Sequence, residues 1–418
     1  MANKISNLAR EVFHSMSERN FRIYNAGMFV SNIGTWMQGV ALSWLVYRLT
    51  GSASSLGLVA FANSMPLLLL TFFGGLAADR FDKRKILFVT QTVAMLQAVA
   101  LAVMVAMDLI TMEIVIGLAC VLGIVTAFEV PTRQAFVPSL IKDSKYLPNA
   151  IGLSSATFHV SRMIGPALGG VLIASAGESI CFVLNVISFF GAFVALAKLK
   201  IERPDKTKTD RETGSDRTGM AQSQWQSVKA LIKRPGVFTL LILAAFVSTF
   251  GMQYSILMPV IADKLLGGQS MQYGFLSASG GLGALLGALT IAAIGRKSGM
   301  RKRLGWACLG LVGGIIVVAS SQHLMLSVVA IAVCGACLSL HWSGGNALMQ
   351  QCAEPSARGK LSGIYTTFTL GLAPFTGLLA GWTAEHLGVS MALYLSGACL
   401  LIGVTVYLYL VRLLDDLC

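Results

Sequence analysis

Charge is scarce in this chain, and acidic charge is scarcer still. Only 12% of the 418 residues are Asp, Glu, Lys or Arg, and 19 are acids. Soluble domains carry about twice that charged share, so a water-exposed globular protein is excluded. With 55% hydrophobic residues and a mean hydropathy of +0.72, there is more apolar surface than a soluble core of this size could hide. Nucleotide motifs are missing as well. Gly280-Gly-Leu-Gly283-Ala-Leu-Leu-Gly287 fits neither a phosphate loop nor a dinucleotide fingerprint, and its Gly283 and Gly287 read as tight helix packing. ATP is therefore not the expected energy source, and no cofactor is implied. Cys334-x-x-Cys337 shares a helix face with His341, but the second pair of ligands that a metal site needs is absent. No metal is expected. The eight cysteines lie mostly inside apolar runs, where they act as small hydrophobes rather than a disulfide framework. No nucleophile, base and metal come together, which argues against an enzyme, and no alternating ten-residue pattern suggests a barrel.

Long apolar runs are what the chain has in abundance. A helix needs about 20 apolar residues to cross a bilayer. Twelve such runs are expected, at about 23–47, 55–78, 86–107, 112–131, 149–176, 179–199, 236–262, 272–295, 303–320, 324–349, 360–385 and 389–411. Residues 1–22 mix Lys4, Arg10, Glu11, Glu18, Arg19 and Arg22 with scattered apolar positions, and the run after them is too long for a signal-peptide core. They read as an amphipathic lead-in. Residues 200–227 are almost free of apolar side chains, as a solvated linker should be. Trp225 to Arg234 then regains helical periodicity, a short surface helix before Pro235. The expected organisation is an all-α membrane protein: lead-in 1–22, six-helix half 23–199, linker 200–227 and six-helix half 228–418.

The net charge of +13 is unevenly placed. All but three of the 32 Lys and Arg fall on segments assigned to one membrane face; Arg48 and Lys264 lie at the other and Arg162 inside a helix. Basic residues near helix ends resist translocation, so this face reads as cytoplasmic and holds both termini. The asymmetry is topology and does not point to nucleic acid.

The densest cluster is Gly75-Leu-Ala-Ala-Asp79-Arg80-Phe-Asp82-Lys83-Arg84-Lys85. A connection this short between two spanning runs forces an antiparallel hairpin. It resembles the signature loop of the major facilitator superfamily, with Gly75, Asp79, Arg80, Lys83 and Arg84 on its positions, Ala77 where leucine is usual and Asp82 where glycine is usual. In that superfamily the loop latches the two halves together in one conformational state. The resemblance implies this role for Asp79 and Arg80, and a fold of two pseudo-symmetric halves. The loop at 295–303 occupies the corresponding place in the second half and keeps glycines and bases without an acid.

Gly165-Pro166-Ala-Leu-Gly169-Gly170 puts small residues on one face of the fifth segment and removes a backbone hydrogen bond. It resembles the helix-5 motif of exporters, with Ser161 in place of its leading glycine, and reads either as a hinge or as packing. Ala373-Pro374-Phe375-Thr376-Gly377 is a weaker echo. Asn32-Ile-Gly-Thr-Trp36-Met-Gln38, Ala127-Phe-Glu129-Val-Pro131-Thr-Arg133-Gln134 and Arg358-Gly-Lys360 are similar to the bacterial branch holding enterobactin-type siderophore exporters and macrolide efflux proteins.

Glu129 is read as the one acid lying within a helix. It either joins a charge relay with Arg80 or Arg84, as the resemblance implies, or pairs with Arg133 four residues on. Arg162 costs about 2.5–3.5 kcal/mol at a helix centre, so it should face a cavity or a partner. His159, three residues before it, shares its face and could answer to protons. Asn32 and Trp36; Thr249, Gln253 and Tyr254; and Trp342, Asn346 and Gln350 form polar and aromatic stripes spaced by four. Each stripe lines a cavity or joins helices by hydrogen bonds. The expectation is an inner-membrane secondary exporter of a drug-like molecule or siderophore, driven by protons, with no oligomer implied. No carboxylate stands at mid-membrane, so coupling falls to His159, Glu129 or a peripheral acid such as Asp263. A lipid or lysophospholipid flippase of the same fold and a non-transporting scaffold or sensor remain as alternatives.

Overall fold

The computed structural model describes residues 14–199, 234–294, 299–352 and 358–413. The linker 200–227, most of the lead-in, the Trp225–Arg234 segment short of its last residue and positions 295–298 of the second basic loop lie outside them. All regular structure in the described residues is helical: α1 (Arg19–Thr50), α2 (Ala53–Arg80), α3 (Lys83–Ala106), α4 (Met112–Phe136), α5 (Leu147–Ala176), α6 (Glu178–Lys198), α7 (Pro235–Thr249), α8 (Ser270–Ile294), α9 (Met300–Ser320), α10 (Leu324–Gln351), α11 (Arg358–Leu370), α12 (Ala373–Leu387) and α13 (Val389–Leu413), with short turns between them. Two of the expected crossings are broken. The seventh stops at Thr249 and goes on as short turns to Leu265, and the eleventh is split into α11 and α12.

Ten helical stretches of the described residues are long and apolar enough to span a membrane. The two long helices outside that set, α1 and α5, are 32 and 30 residues long. Both are diluted by polar residues, among them Asn25, Asn32 and Gln38 in α1 and His159 and Arg162 in α5. Polar groups in a spanning helix must face protein or a cavity, so α1 and α5 belong beside one.

The two halves repeat each other in their packing. In the first half α1 packs on α5 and α6, α2 on α4, and α3 on α4 and α6. In the second, α7 packs on α11 and α13, α8 on α10, and α9 on α10 and α13. Every pairing of the first half thus has its counterpart in the second, as an internal repeat about an axis along the membrane normal requires. Even the joints match. Gly177 between α5 and α6 and Gly388 between α12 and α13 take φ of 80° and 83°, a region open to glycine.

Small residues bring the helices together, since lipid offers no hydrophobic drive between them. Gly283 and Gly287 of α8 lie against the Ala332 and Ala336 carbonyls of α10, the packing their spacing suggested. Cys334 and Cys337 press on Gly314 and Gly310 of α9, again as packing. Buried amides supply the remaining cohesion: Gln38 Nε2 donates to Gln97 Oε1 at 2.8 Å, and Asn185 Nδ2 to Gln38 Oε1 at 2.7 Å, tying α1, α3 and α6.

Candidate functional site

The halves meet along two antiparallel pairs, α2 with α12 and α5 with α8, and glycine permits both contacts. A Cβ on Gly377 would stand 2.9 Å from the Gly57 carbonyl oxygen, and one on Gly381 2.7 Å from that of Ala53. On the other pair, a Cβ on Gly170 would stand 2.7 Å from the Gly274 Cα. Gly281 lies against the Arg162 backbone, where a Cβ would be 2.6 Å from its carbonyl oxygen.

All these contacts lie in the part of the bundle far from the basic hairpin. Toward the hairpin the halves part: among the described residues α2 packs on α12 but not closely on α11, and Gly75 of α2 and Gly363 of α11 have no neighbour at the Cβ position. The bundle is therefore sealed at one end and split at the basic end. Arg162, near the middle of α5, sits where the contact gives way to the split.

Two carboxylates of the second half hold the sealed end. Glu385 Oε2 accepts from Ser52 Oγ at 2.9 Å, Ala53 N at 2.7 Å and Ser54 N at 3.2 Å. It thereby covers the first N–H groups of α2, which a helix start leaves unpaired. Tyr47 of α1 donates to Asp263 Oδ2 at 2.6 Å. Arg48 and Glu178 pair nearby at 2.7 Å, within the first half. Glu178, Asp263 and Glu385 all lie in helical backbone, so Glu129 is not the only helical acid as expected; Glu178 and Asp263 stand one residue outside the expected runs, and Glu385 is the last residue of its run.

At the split, α1, α4 and α5 build a cluster. The Arg162 guanidinium lies 5.2 Å from the centroid of the Trp36 ring, and Trp36 meets Phe158 edge-on at 5.6 Å. Arg133 lies 5.8 Å from the Phe158 centroid and donates from Nη1 to Asn32 Oδ1 at 3.3 Å. Its other partner is Glu129, 3.7 Å away. The relay expected between Glu129 and Arg80 or Arg84 is thus replaced by the local pair, because one helical turn brings Arg133 to it. Arg84 instead donates to the Ala197 and Leu199 carbonyls at the end of α6, at 3.0 and 3.3 Å. Arg162 belongs to none of the three ion pairs among the described residues. His159 stands beside Phe158, its Nδ1 buried without a hydrogen-bond partner among the described residues.

The hairpin closes differently from the family pattern. Asp82, standing where glycine is usual, caps α3 by accepting from Arg84 N and Lys85 N at 2.9 and 3.3 Å, with an ordinary φ of −63°. The cap position is therefore held by Asp82, and Asp79 and Arg80 end α2, exposed. On α5 the helix runs through Pro166 unbroken. Gly165 packs on Ile33 and Trp36 of α1, Gly169 on Met37, and Gly170 on α8.

The stripes of the second half divide. The seventh crossing breaks after Thr249, and Gln253 Nε2 donates back to the Thr249 carbonyl at 3.1 Å. Tyr254 is buried. Asn346 Oδ1 accepts from Ser362 Oγ at 2.7 Å and Gln350 Nε2 at 3.4 Å, joining α10 to α11. Trp342 Nε1 is buried without a partner among the described residues. The two helix breaks satisfy each other: Ser248 Oγ donates to the Thr369 carbonyl at 2.8 Å, Thr376 Oγ1 to the Ser248 carbonyl at 3.0 Å, and Ser396 Oγ to the Phe250 carbonyl. His341, buried, lies 3.5 Å from Cys308 Sγ and 3.4 Å from the Tyr365 hydroxyl. Among the described residues no group of three metal-ligating side chains forms.

Glu385 and Phe158 were not singled out from sequence, and Asp263 entered as a coupling acid rather than as half of a contact between the halves. Acids outnumber bases at the end opposite the hairpin, where only Arg48 and Lys264 are basic, and that surplus was the available signal.

Two repeated six-helix halves around a split lined by arginine and aromatic rings define a membrane transporter of the major facilitator fold. The solved structures agree: the chain matches the nucleoside transporter NupG with a TM-score of 0.70 at 11% identity over 94% of this chain and 99% of the other. It matches an inward-facing bacterial homologue of the iron transporter ferroportin at 0.68 and 15%, over 94% and 98%. By sequence, residues 11–415 match the family described as transmembrane secretion effector, and the chain belongs to that family. Relatives include the staphyloferrin A transporter of Staphylococcus aureus, 24% identical over 88% of this chain and 90% of that one, and the multidrug efflux pump Tap of Mycolicibacterium fortuitum, 26% identical over 90% and 92%. The macrolide efflux protein A of Streptococcus pyogenes is 22% identical over 90% and 92%. These are transporters of the major facilitator superfamily, not enzymes.

Proposed function

We propose that this chain exports a small organic molecule from the bacterial cytoplasm by alternating access, using proton antiport. The observation that carries this reading is the one-sided opening: the halves are sealed by Glu385 and Asp263 at one end and parted at the basic end. Basic loops stay in the cytoplasm, so the termini lie there and the split is the cytoplasmic entrance. Cargo would enter between α2 and α11 and between α5 and α8, reaching Arg162.

Arg162 sets the class of cargo in this reading. A half-buried guanidinium outside every ion pair of the described residues calls for an anionic group, and Trp36 and Phe158 offer a face for an aromatic or apolar body. An amphipathic acid, siderophore-like in chemistry, fits better than a simple cation. His159, with its unpartnered Nδ1 beside this cluster, is the candidate proton carrier. The relatives named as siderophore, multidrug and macrolide transporters support export as the direction.

The test is uptake into inside-out vesicles of carboxylate siderophores, macrolides and cationic dyes, with and without a proton gradient. Charge-assisted bonds are worth about 1.5–3 kcal/mol, so Arg162→Gln should weaken the apparent affinity for acidic cargo about 10- to 100-fold. Arg162→Lys, which keeps the charge and loses the planar, multi-donor guanidinium beside Trp36, should fall between. Gradient-independent uptake would remove antiport from the proposal, and equal affinity of wild type and Arg162→Gln would remove the acidic cargo.

A further inference from the structure

A second hollow lies away from the split between the halves. At the basic end, α3, α4 and the hairpin enclose a groove of about 560 Å³. Val89 and Val93 of α3 and Ile124 and Phe128 of α4 give it an apolar wall, and Arg80, Asp82 and Lys85 stand at its mouth. The groove opens outward, for Val89 is 59% and Ile124 42% exposed. Apolar side chains bared on a spanning helix face lipid.

The charge at the mouth is positive and unspent. Asp82 has committed its carboxylate to the backbone N–H groups of Arg84 and Lys85. Arg84 is turned to the carbonyls ending α6. Arg80 and Lys85 are both exposed, and neither side chain has a hydrogen bond or ion pair among the described residues. Membrane topology alone asks for bases at this face, but it does not ask for an apolar groove leading away from two of them.

We propose that this groove binds an anionic glycerophospholipid. Its phosphate would lie between the Arg80 guanidinium and the Lys85 ammonium, with one acyl chain along Val89, Val93, Ile124 and Phe128. Basic pockets between helices at the cytoplasmic face recognise anionic headgroups in this way. The site joins α2 to α3 and α4, so an occupant would brace the hairpin that carries Asp79. None of this depends on which cargo the transporter moves, or on whether it moves one.

The test is native mass spectrometry of the purified full chain in detergent, titrated with phosphatidylglycerol or phosphatidylcholine of identical acyl chains. Each base should give about a fivefold preference for the anionic lipid, so about 25-fold for the pair. Arg80→Gln with Lys85→Gln should abolish the preference. Lys302→Gln with Arg303→Gln, the same charge loss at exposed positions of α9, should leave it intact. Val89→Trp fills the groove without touching charge and should lower occupancy by both lipids. Equal binding of the two lipids to the wild type would overturn the proposal, as would an equal loss in the Lys302 and Arg303 variant. Displacement of phosphatidylglycerol by millimolar inorganic phosphate would show a site for a soluble anion, and would overturn it too.

Discussion

Removing the charge of Glu385 should unlock the sealed end. In Glu385→Gln the side chain keeps one acceptor oxygen but loses the negative charge that meets the start of α2, where Ala53 N and Ser54 N donate to it at 2.7 and 3.2 Å and Ser52 Oγ at 2.9 Å. Charged hydrogen bonds carry about 1.5–3 kcal/mol when shielded, and the helix-end interaction adds about 0.3–1 kcal/mol. Glu385 is exposed, so solvent discounts both. A total of about 1–2 kcal/mol remains, a factor of about 5–30 in an equilibrium. Ser52 still caps α2 by accepting from Ser55 N at 3.3 Å, so the helix itself should survive. Because the lost contact spans the halves, its energy should appear in the balance between conformations rather than in folding. Spin labels at Leu109 and Leu387, exposed at this end on opposite halves, would report it as growth of a long-distance population by pulsed dipolar spectroscopy. An unchanged distance distribution with unchanged thermal stability would refute the reasoning. So would an equal shift in Arg48→Gln, which breaks only a pair internal to the first half.

The close approach of α2 to α12 should be as sensitive as the charge. Gly57→Val places a branched side chain where a Cβ alone would stand 3.0 Å from the Gly377 carbonyl carbon and 3.2 Å from the Gly381 Cα; overpacking of this kind costs about 1–3 kcal/mol. The same spin-label pair should show the open population, and transport should fall with membrane insertion intact. Asp79→Asn should do the reverse, leaving the label distances of this state unchanged while slowing transport, since Asp79 is exposed and has no partner among the described residues; equal loss of insertion and transport would remove its gating role.

How much of this was legible in the sequence follows from the range of each interaction. Crossings are a one-dimensional property, so twenty or so apolar residues announce themselves wherever they fold. Arg162 stood out because its cost at a helix centre is independent of its neighbours. The Glu129–Arg133 pair is equally legible, since four residues of helix bring the two side chains together, whereas the relay rests on resemblance alone. The breaks in the seventh and eleventh crossings were hidden, although Gly251 and Gly371 mark them, because 43 glycines offer too many candidates. What makes those two yield is that hydroxyls of Ser248, Thr376 and Ser396 take up carbonyls on a neighbouring helix. The lock at the sealed end was out of reach for the same reason. Glu385 and Ala53 are 332 residues apart, and Asp263 and Tyr47 are 216.

The antiparallel pairing of α2 with the eleventh crossing gives the two acids a common logic. Glu385 sits in the last turn of α12 and covers the start of α2. Asp79 sits in the last turn of α2, and the start of α11 at Arg358 belongs to the helix that runs against it. Under the proposed alternating access, closing the basic end would bring the exposed Asp79 toward the start of α11, the counterpart of the Glu385 contact at the other end. The bonds cannot form together if the halves rock as rigid bodies, because closing one end parts the other. The corresponding loop at 295–303 carries no acid, and α8 meets α5 through glycine packing, with Gly274 against Gly170 and Gly281 against the Arg162 backbone.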